Sequence, residues 1–169
     1  RMTALLQGTH DNYEIDHFMK IIRNGQLPLR PGVTRIIDEA IGDRVMLAVC
    51  STSNEQAVNL IIETLLGPER KEQFVVILTG DVVSKKKPDP EIYNLAKETL
   101  KVKPCECMVI EDSQNGLLAA KSAGMHCVIT TNDYTETEDF SNADMIVSEL
   151  GDADQIKVTL DMLKDMVSH

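Results

Sequence analysis

Glu111 and Asp112 stand side by side at the end of the apolar run Cys107-Met108-Val109-Ile110, and Ser113-Gln114-Asn115-Gly116 follows them. Two adjacent carboxylates repel each other unless a cation lies between them. A hard, oxygen-liganded ion such as Mg²⁺ suits the pair, because it keeps several waters and takes one or two protein carboxylates together with substrate phosphate. An acidic helix start that complements the macrodipole is the plainer reading of the same residues. Two further clusters bear on the choice. Ser51-Thr52-Ser53-Asn54 follows the strand-like run Val45 to Cys50, and its hydroxyls suit either phosphate binding or the capping of a helix. Lys85-Lys86-Lys87-Pro88-Asp89-Pro90 sets a cation beside a rigid Pro-x-Pro turn. A hydroxyl, a cation and a carboxylate pair are what phosphoryl chemistry uses: N–H and O–H groups on the non-bridging oxygens, Lys87 on the developing charge, and Glu111 with Asp112 on a metal. Lys85 and Lys86 read as solvated loop residues.

The elements that must carry these clusters alternate. Val33, Ile36, Ile37, Ala40 and Ile41 follow helical spacing after Pro31-Gly32, and the strand Val45 to Cys50 comes next. Val58, Ile61, Ile62 and Leu65 mark a helix ended near Gly67-Pro68, and Phe74 to Leu78 reads as a strand closed by Thr79-Gly80-Asp81. Ile92, Leu95, Ala96 and Leu100 form a helix face before the strand that ends at Ile110. A helical segment, Leu117 to Ala123, is closed by Gly124. The strand His126 to Thr130, the short run Met145-Ile146-Val147 and a last helix using Ile156, Leu160, Leu163 and Val167 complete the order. Alternation of this kind predicts an α/β fold with a parallel sheet. Ser51, Asp81, Glu111-Asp112 and Thr130-Thr131-Asn132-Asp133 all follow strands, and open α/β sheets bind ligands outside the carboxyl ends of their strands. Asp81 is expected to fix its own turn, Asn54 to start a helix, and Ser113 and Asn115 to orient the carboxylate loop.

Ser51, then Lys87 with Pro88-Asp89-Pro90, then Glu111-Asp112 resemble the second, third and fourth motifs of the haloacid dehalogenase (HAD) superfamily. The wording is closer still to plant CbbY-like phosphatases: LPLRPGV at Leu27 to Val33, AVCSTSNE at Ala48 to Glu55, LLGPER at Leu65 to Arg70 and GDVVSKKKPDP at Gly80 to Pro90. The resemblance covers the chain from Glu14 to Asp152. It implies a Rossmann-like core and Mg²⁺-dependent hydrolysis of a sugar phosphate, of the xylulose bisphosphate type, through an aspartyl-phosphate. Within it, Ser51 and Thr52 bind the phosphoryl group, Lys87 stabilises its charge, Glu111 and Asp112 hold Mg²⁺, and the compartment is the chloroplast stroma.

The family's nucleophile belongs to an Asp-x-Asp-Gly-Thr segment on the first strand, and no such segment occurs here. The nearest fragment, Leu5-Leu6-Gln7-Gly8-Thr9, has Leu and Gln where the aspartates should stand. The expectation is therefore a core that lacks its first strand and most of its helical cap, with residues 1–26 as the last of the cap and its linker, and 27–169 as the core. Ile15, Phe18, Met19 and Ile22 would line one face of that cap helix. The first strand should lie between those ending at Cys50 and Ile110, so these two strands are expected to flank a gap unless Thr3 to Leu6 fill it. A non-catalytic HAD-like interaction or scaffold module is the alternative function. An acyl-phosphate receiver domain fits less well, because its acidic pair sits on the first strand.

Composition sets the remaining bounds. A chain of 169 residues, 43% hydrophobic and 26% charged, has the length of one domain with a substantial core. A formal charge of −10 opposes a nucleic-acid binder, which needs a basic face. No apolar run reaches membrane-spanning length, and a monomer is expected. The four cysteines have neither disulfide-framework nor zinc spacing, so Cys50 and Cys127 are expected in the core. The eight methionines read as packing, and no histidine falls in a motif.

Overall fold

The structure is a computed structural model that describes residues 28–167 together with Lys20 and Asn24. The expectations for Leu5 to Thr9, for Thr3 to Leu6 and for the helix face of Ile15, Phe18, Met19 and Ile22 lie outside the described residues.

Helix α1 (Val33–Gly42) buries Ile36, Ile37 and Ala40, the one-sided spacing read from the sequence. Strand β1 (Leu47–Cys50) follows, then α2 (Glu55–Leu66), a short α3 (Pro68–Lys71) and β2 (Phe74–Leu78). Helix α4 (Glu91–Leu100), β3 (Met108–Glu111), α5 (Gln114–Ser122), β4 (His126–Thr130), β5 (Met145–Val147) and α6 (Leu160–Val167) complete the order.

All paired strands run parallel, as β1–β2 and as β3–β4–β5. Successive residues of β3 and β4 divide between two apolar cores, and β1 and β2 also contribute to both. Leu47, Val49, Met108, Ile110 and Val128 pack with α1, α2 and α6. Cys50, Leu78, Val109, Cys127 and Ile129 pack with α4 and α5. This period-two allocation means that both groups of strands contribute to one central layer between two helical layers. Among the described residues, no strand pairs with the free edge of β1 or of β3.

Several boundaries differ from the sequence reading. Strand β1 starts at Leu47 and not at Val45, because Val45 N–H closes the end of α1 on the Ala40 carbonyl at 2.8 Å. Glu111 is the last residue of β3 and not the first after it, so its side chain belongs to the interior. Helix α5 begins at Gln114, where the Ser113 hydroxyl caps it by accepting from Gly116 N–H at 3.2 Å. Ile156 is not on the last helix. It is exposed after a 3₁₀ turn, Ala153–Gln155, and Lys157 and Val158 N–H both return to the Leu150 carbonyl at 3.0 Å.

Gly32 opens α1 at φ +87°, and a Cβ there would lie 2.5 Å from Leu150 Cβ and 2.7 Å from the Gly151 carbonyl oxygen. Arg35, one turn into α1, donates to the carbonyls of Leu150, Gly151 and Val158. Helix start and C-terminal loop are therefore locked together. Replacing Gly32 by Ala combines strained backbone with a clash, and should lower the free energy of unfolding by more than about 1 kcal/mol in a urea titration.

Candidate active site

Lys87 is brought inward by its loop. The Glu91 carboxylate accepts from Ser84 N–H at 2.9 Å and Lys85 N–H at 2.8 Å, and its own N–H donates to Asp89 Oδ1 at 3.0 Å. Lys85 and Lys86 stay exposed, as expected, whereas the Lys87 side chain is only 6% exposed. Its ammonium donates to the Cys50 carbonyl at 3.0 Å and to Glu111 Oε1 at 2.5 Å. Cys50 and Glu111 are the last residues of β1 and β3, so one cation bridges the carboxyl ends of the two groups of strands. The same ammonium lies 4.9 Å from the centre of the Tyr93 ring.

Ser51 follows Cys50 directly and is buried. Its N–H donates to the Leu78 carbonyl at 2.9 Å, and its hydroxyl accepts from Ser53 N–H at 3.2 Å. Thr52 lies in the same turn, which fits closely against the neighbouring one. Gly80 N–H donates to the Ser53 carbonyl at 2.7 Å, and a Cβ on Gly80 would fall 2.2 Å from the Thr52 carbonyl oxygen. Asn54 starts α2 as expected, accepting from Ala57 N–H at 2.9 Å. The Asp81 side chain reaches beyond its own turn and accepts from Glu55 N–H at 2.7 Å. Both side chains serve the start of α2.

Glu111 is fully buried, and Tyr93 donates its hydroxyl to the same oxygen that Lys87 holds. Burial pushes the Glu111 carboxyl up, against the opposing pull of Lys87. Burial also raises the Asp112 carboxyl, opposed by Lys87 and Arg30. Burial pushes the Tyr93 hydroxyl well up, which keeps it a donor. Glu111 Oε2 and Asp112 Oδ1 are buried and have no hydrogen-bond partner. Two desolvated, orphaned carboxylate oxygens on adjacent residues fit the donor set of a hard divalent cation. Among the described residues no three His, Cys, Asp or Glu side chains gather into a metal cage, so further ligands have to be substrate oxygens, water or other residues.

The structure thus brings Lys87 and Glu111 into contact and leaves Ser51 one residue from the carbonyl that Lys87 holds. Sequence reasoning missed Tyr93. Its signal was position, since Pro90 immediately precedes α4 and places Tyr93 in the first turn, facing inward. It also gave no role to Arg30, which donates to the carbonyls of Thr130, the last residue of β4, and of Thr131 just after it. Nor did it see Glu138, which caps α5 by accepting from Gln114 N–H at 2.5 Å. Ser113 caps α5, and Asn115 is exposed.

The sequence profile of the haloacid dehalogenase-like hydrolases matches residues 2–124. The chain belongs to this family. Within the family, it is 57% identical over 135 residues to the CBBY-like protein of Arabidopsis thaliana, a match covering 80% of this chain and 42% of that protein. The crystal structure of CbbY from Rhodobacter sphaeroides in complex with phosphate superposes with a TM-score of 0.80 at 35% identity, covering 89% of this chain and 65% of that one. A point mutant of the same protein, in complex with xylulose-(1,5)bisphosphate, gives a TM-score of 0.81 at 35% identity, with the same coverage of 89% and 65%. The HAD-like chain described here therefore spans less than two thirds of the length of these relatives.

Two substitutions test the buried carboxylate. Tyr93→Phe removes a donor from a buried charged acceptor and should destabilise the protein by about 1–3 kcal/mol, read by chemical denaturation. Gly116→Ala would place a Cβ 1.9 Å from Glu111 Oε2. Because carboxylate and helix backbone leave no room for it, this variant should lose more stability than Gly42→Ala, where the added Cβ meets open space.

Proposed function

We propose that this HAD-like chain carries the phosphate- and metal-binding half of a Mg²⁺-dependent sugar-phosphate phosphatase. The observation that supports it best is the buried Lys87 ammonium, held between the Cys50 carbonyl and the Glu111 carboxylate beside Ser51. A lysine fixed there stabilises negative charge on a transferring phosphoryl group without reorganising. Ser51, with the N–H group of Thr52, binds the non-bridging oxygens. Glu111 and Asp112 hold the metal through the two orphaned oxygens. Mg²⁺ bound there would neutralise phosphate charge and orient the phosphoryl group. Tyr93 keeps Glu111 facing Lys87, which leaves the second oxygen of that carboxylate available.

Xylulose bisphosphate is the substrate we propose, by likeness to the CbbY protein whose complex with it superposes on this chain. The chloroplast stroma is the proposed compartment, by resemblance to plant CbbY-like phosphatases. Among the described residues, no helix is long and apolar enough to cross a membrane. The nucleophilic aspartate has to come from outside these residues, because the sequence contains no Asp-x-Asp-Gly-Thr segment. Without it, loss of turnover on the order of 10⁶ is expected, by analogy with removal of a serine protease nucleophile.

The test is phosphate release from xylulose bisphosphate in the presence of Mg²⁺. The 169-residue chain alone should give none above background, and joining it to the Arabidopsis relative's first-strand and cap segment should restore turnover. Lys87→Ala in the joined protein should lower kcat by about 10²-fold or more. Robust release from the chain alone, abolished by Lys87→Ala, would mean that a residue here replaces the aspartate. A well-folded joined protein with no activity would favour the non-catalytic module.

A further inference from the structure

We propose that Arg30 and Asn132 are positioning residues that decide which oxygen of Asp112 is presented to a divalent cation; the inference rests on the metal reading above. Arg30 lies in the loop before α1, far from the carboxylate pair in sequence. Its Nη1 donates to the Thr130 carbonyl at 2.9 Å and to Thr130 Oγ1 at 3.0 Å. Its Nη2 donates to the carbonyls of Thr131 and Ser148, both at 2.5 Å. One planar fork thus fixes the carboxyl end of β4 against the segment that follows β5, a geometry that a lysine cannot reproduce. The Thr130 hydroxyl passes the contact on, donating to the Glu111 carbonyl at 3.4 Å.

Asn132 comes next along the chain. Its Oδ1 accepts from Tyr134 N–H at 2.9 Å and from Thr135 N–H at 3.2 Å, while its own N–H donates to Thr135 Oγ1 at 3.4 Å. With the amide oxygen committed to two backbone donors, only the NH₂ group is free to face the site. It donates to Asp112 Oδ2 at 3.4 Å. Asp112 Oδ1, buried, is left as the unpartnered oxygen. A carboxylate ligand that is hydrogen-bonded through one oxygen is fixed in rotation and offers the other to the cation. Arg30 holds the strand end from which Asn132 reaches Asp112, so the two should act as one path.

Arg35 supplies an internal control. It forms a comparable clamp on the Leu150, Gly151 and Val158 carbonyls, with no contact to the carboxylate loop. The experiment is a Mn²⁺ titration of the full chain and its variants, read by the electron paramagnetic resonance signal of free Mn²⁺, with folding checked by circular dichroism. Asn132→Ser keeps an acceptor for the turn but cannot reach Asp112, and Arg30→Lys keeps the charge but not the fork. Each should weaken Mn²⁺ affinity by about 10-fold or more, and the double variant should weaken it by less than the product of the two. Arg35→Lys should leave the affinity unchanged.

Unchanged affinity in both Arg30→Lys and Asn132→Ser, a fully multiplicative double variant, or an equal loss in Arg35→Lys would each overturn the positioning role. If the unsubstituted chain shows no saturable Mn²⁺ binding, the metal reading itself fails and the inference falls with it. The two failures are told apart by the unsubstituted chain alone.

Discussion

The ion pair between Lys87 and Glu111 is the interaction on which the site depends. A fully buried carboxylate is expensive unless a cation and further donors reach it. Lys87 and Tyr93 both do so, at one oxygen, while the carboxylate packs against the bare Cα of Gly116. Three elements are thereby fixed together: the loop before α4, the end of β3 and the first turn of α5. Because Lys87 also holds the Cys50 carbonyl, the pair joins the carboxyl end of β1 to that of β3, where no strand among the described residues does so.

Around this pair the turns are cross-braced. Gly80 packs on the Thr52 carbonyl, Asp81 caps α2, Glu91 gathers the backbone that precedes Lys87, and Glu138 caps α5. Each of these contacts relieves an orphaned backbone donor or braces one turn against another. Together they place the hydroxyl, the ammonium and the carboxylates at one end of a parallel sheet. Preorganisation of this kind lets fixed charges act on phosphoryl oxygens at little reorganisation cost.

The orphaned oxygens mark where the protein alone leaves its polar groups unsatisfied. Burial drives both carboxyls toward protonation, and a divalent cation would reverse that drive. A cation bound there would couple stability to its own binding through the same residues.

The sequence by itself determined the order of elements, the parallel α/β class, the family and the residues of the site's first layer. Periodicity and strand-end polarity are local properties, so Ser51 and Glu111-Asp112 could be placed at strand ends from spacing alone, whereas Lys87 lies in the loop between β2 and α4. Local reading also misjudged boundaries where the close of a helix claims a residue that strand patterning would take, as at Val45, and where a loop takes a residue that helical spacing would claim, as at Ile156. Only the tertiary structure decided which groups meet. Tyr93 facing Glu111, Arg30 gripping the end of β4, and Asn132 turned toward Asp112 join residues far apart in the chain. Nothing in the residues beside Arg30 points to Thr130, because the contact exists only once α1 and β4 have packed into one layer arrangement. The sequence names the two carboxylates; packing leaves Glu111 Oε2 and Asp112 Oδ1 without a hydrogen-bond partner.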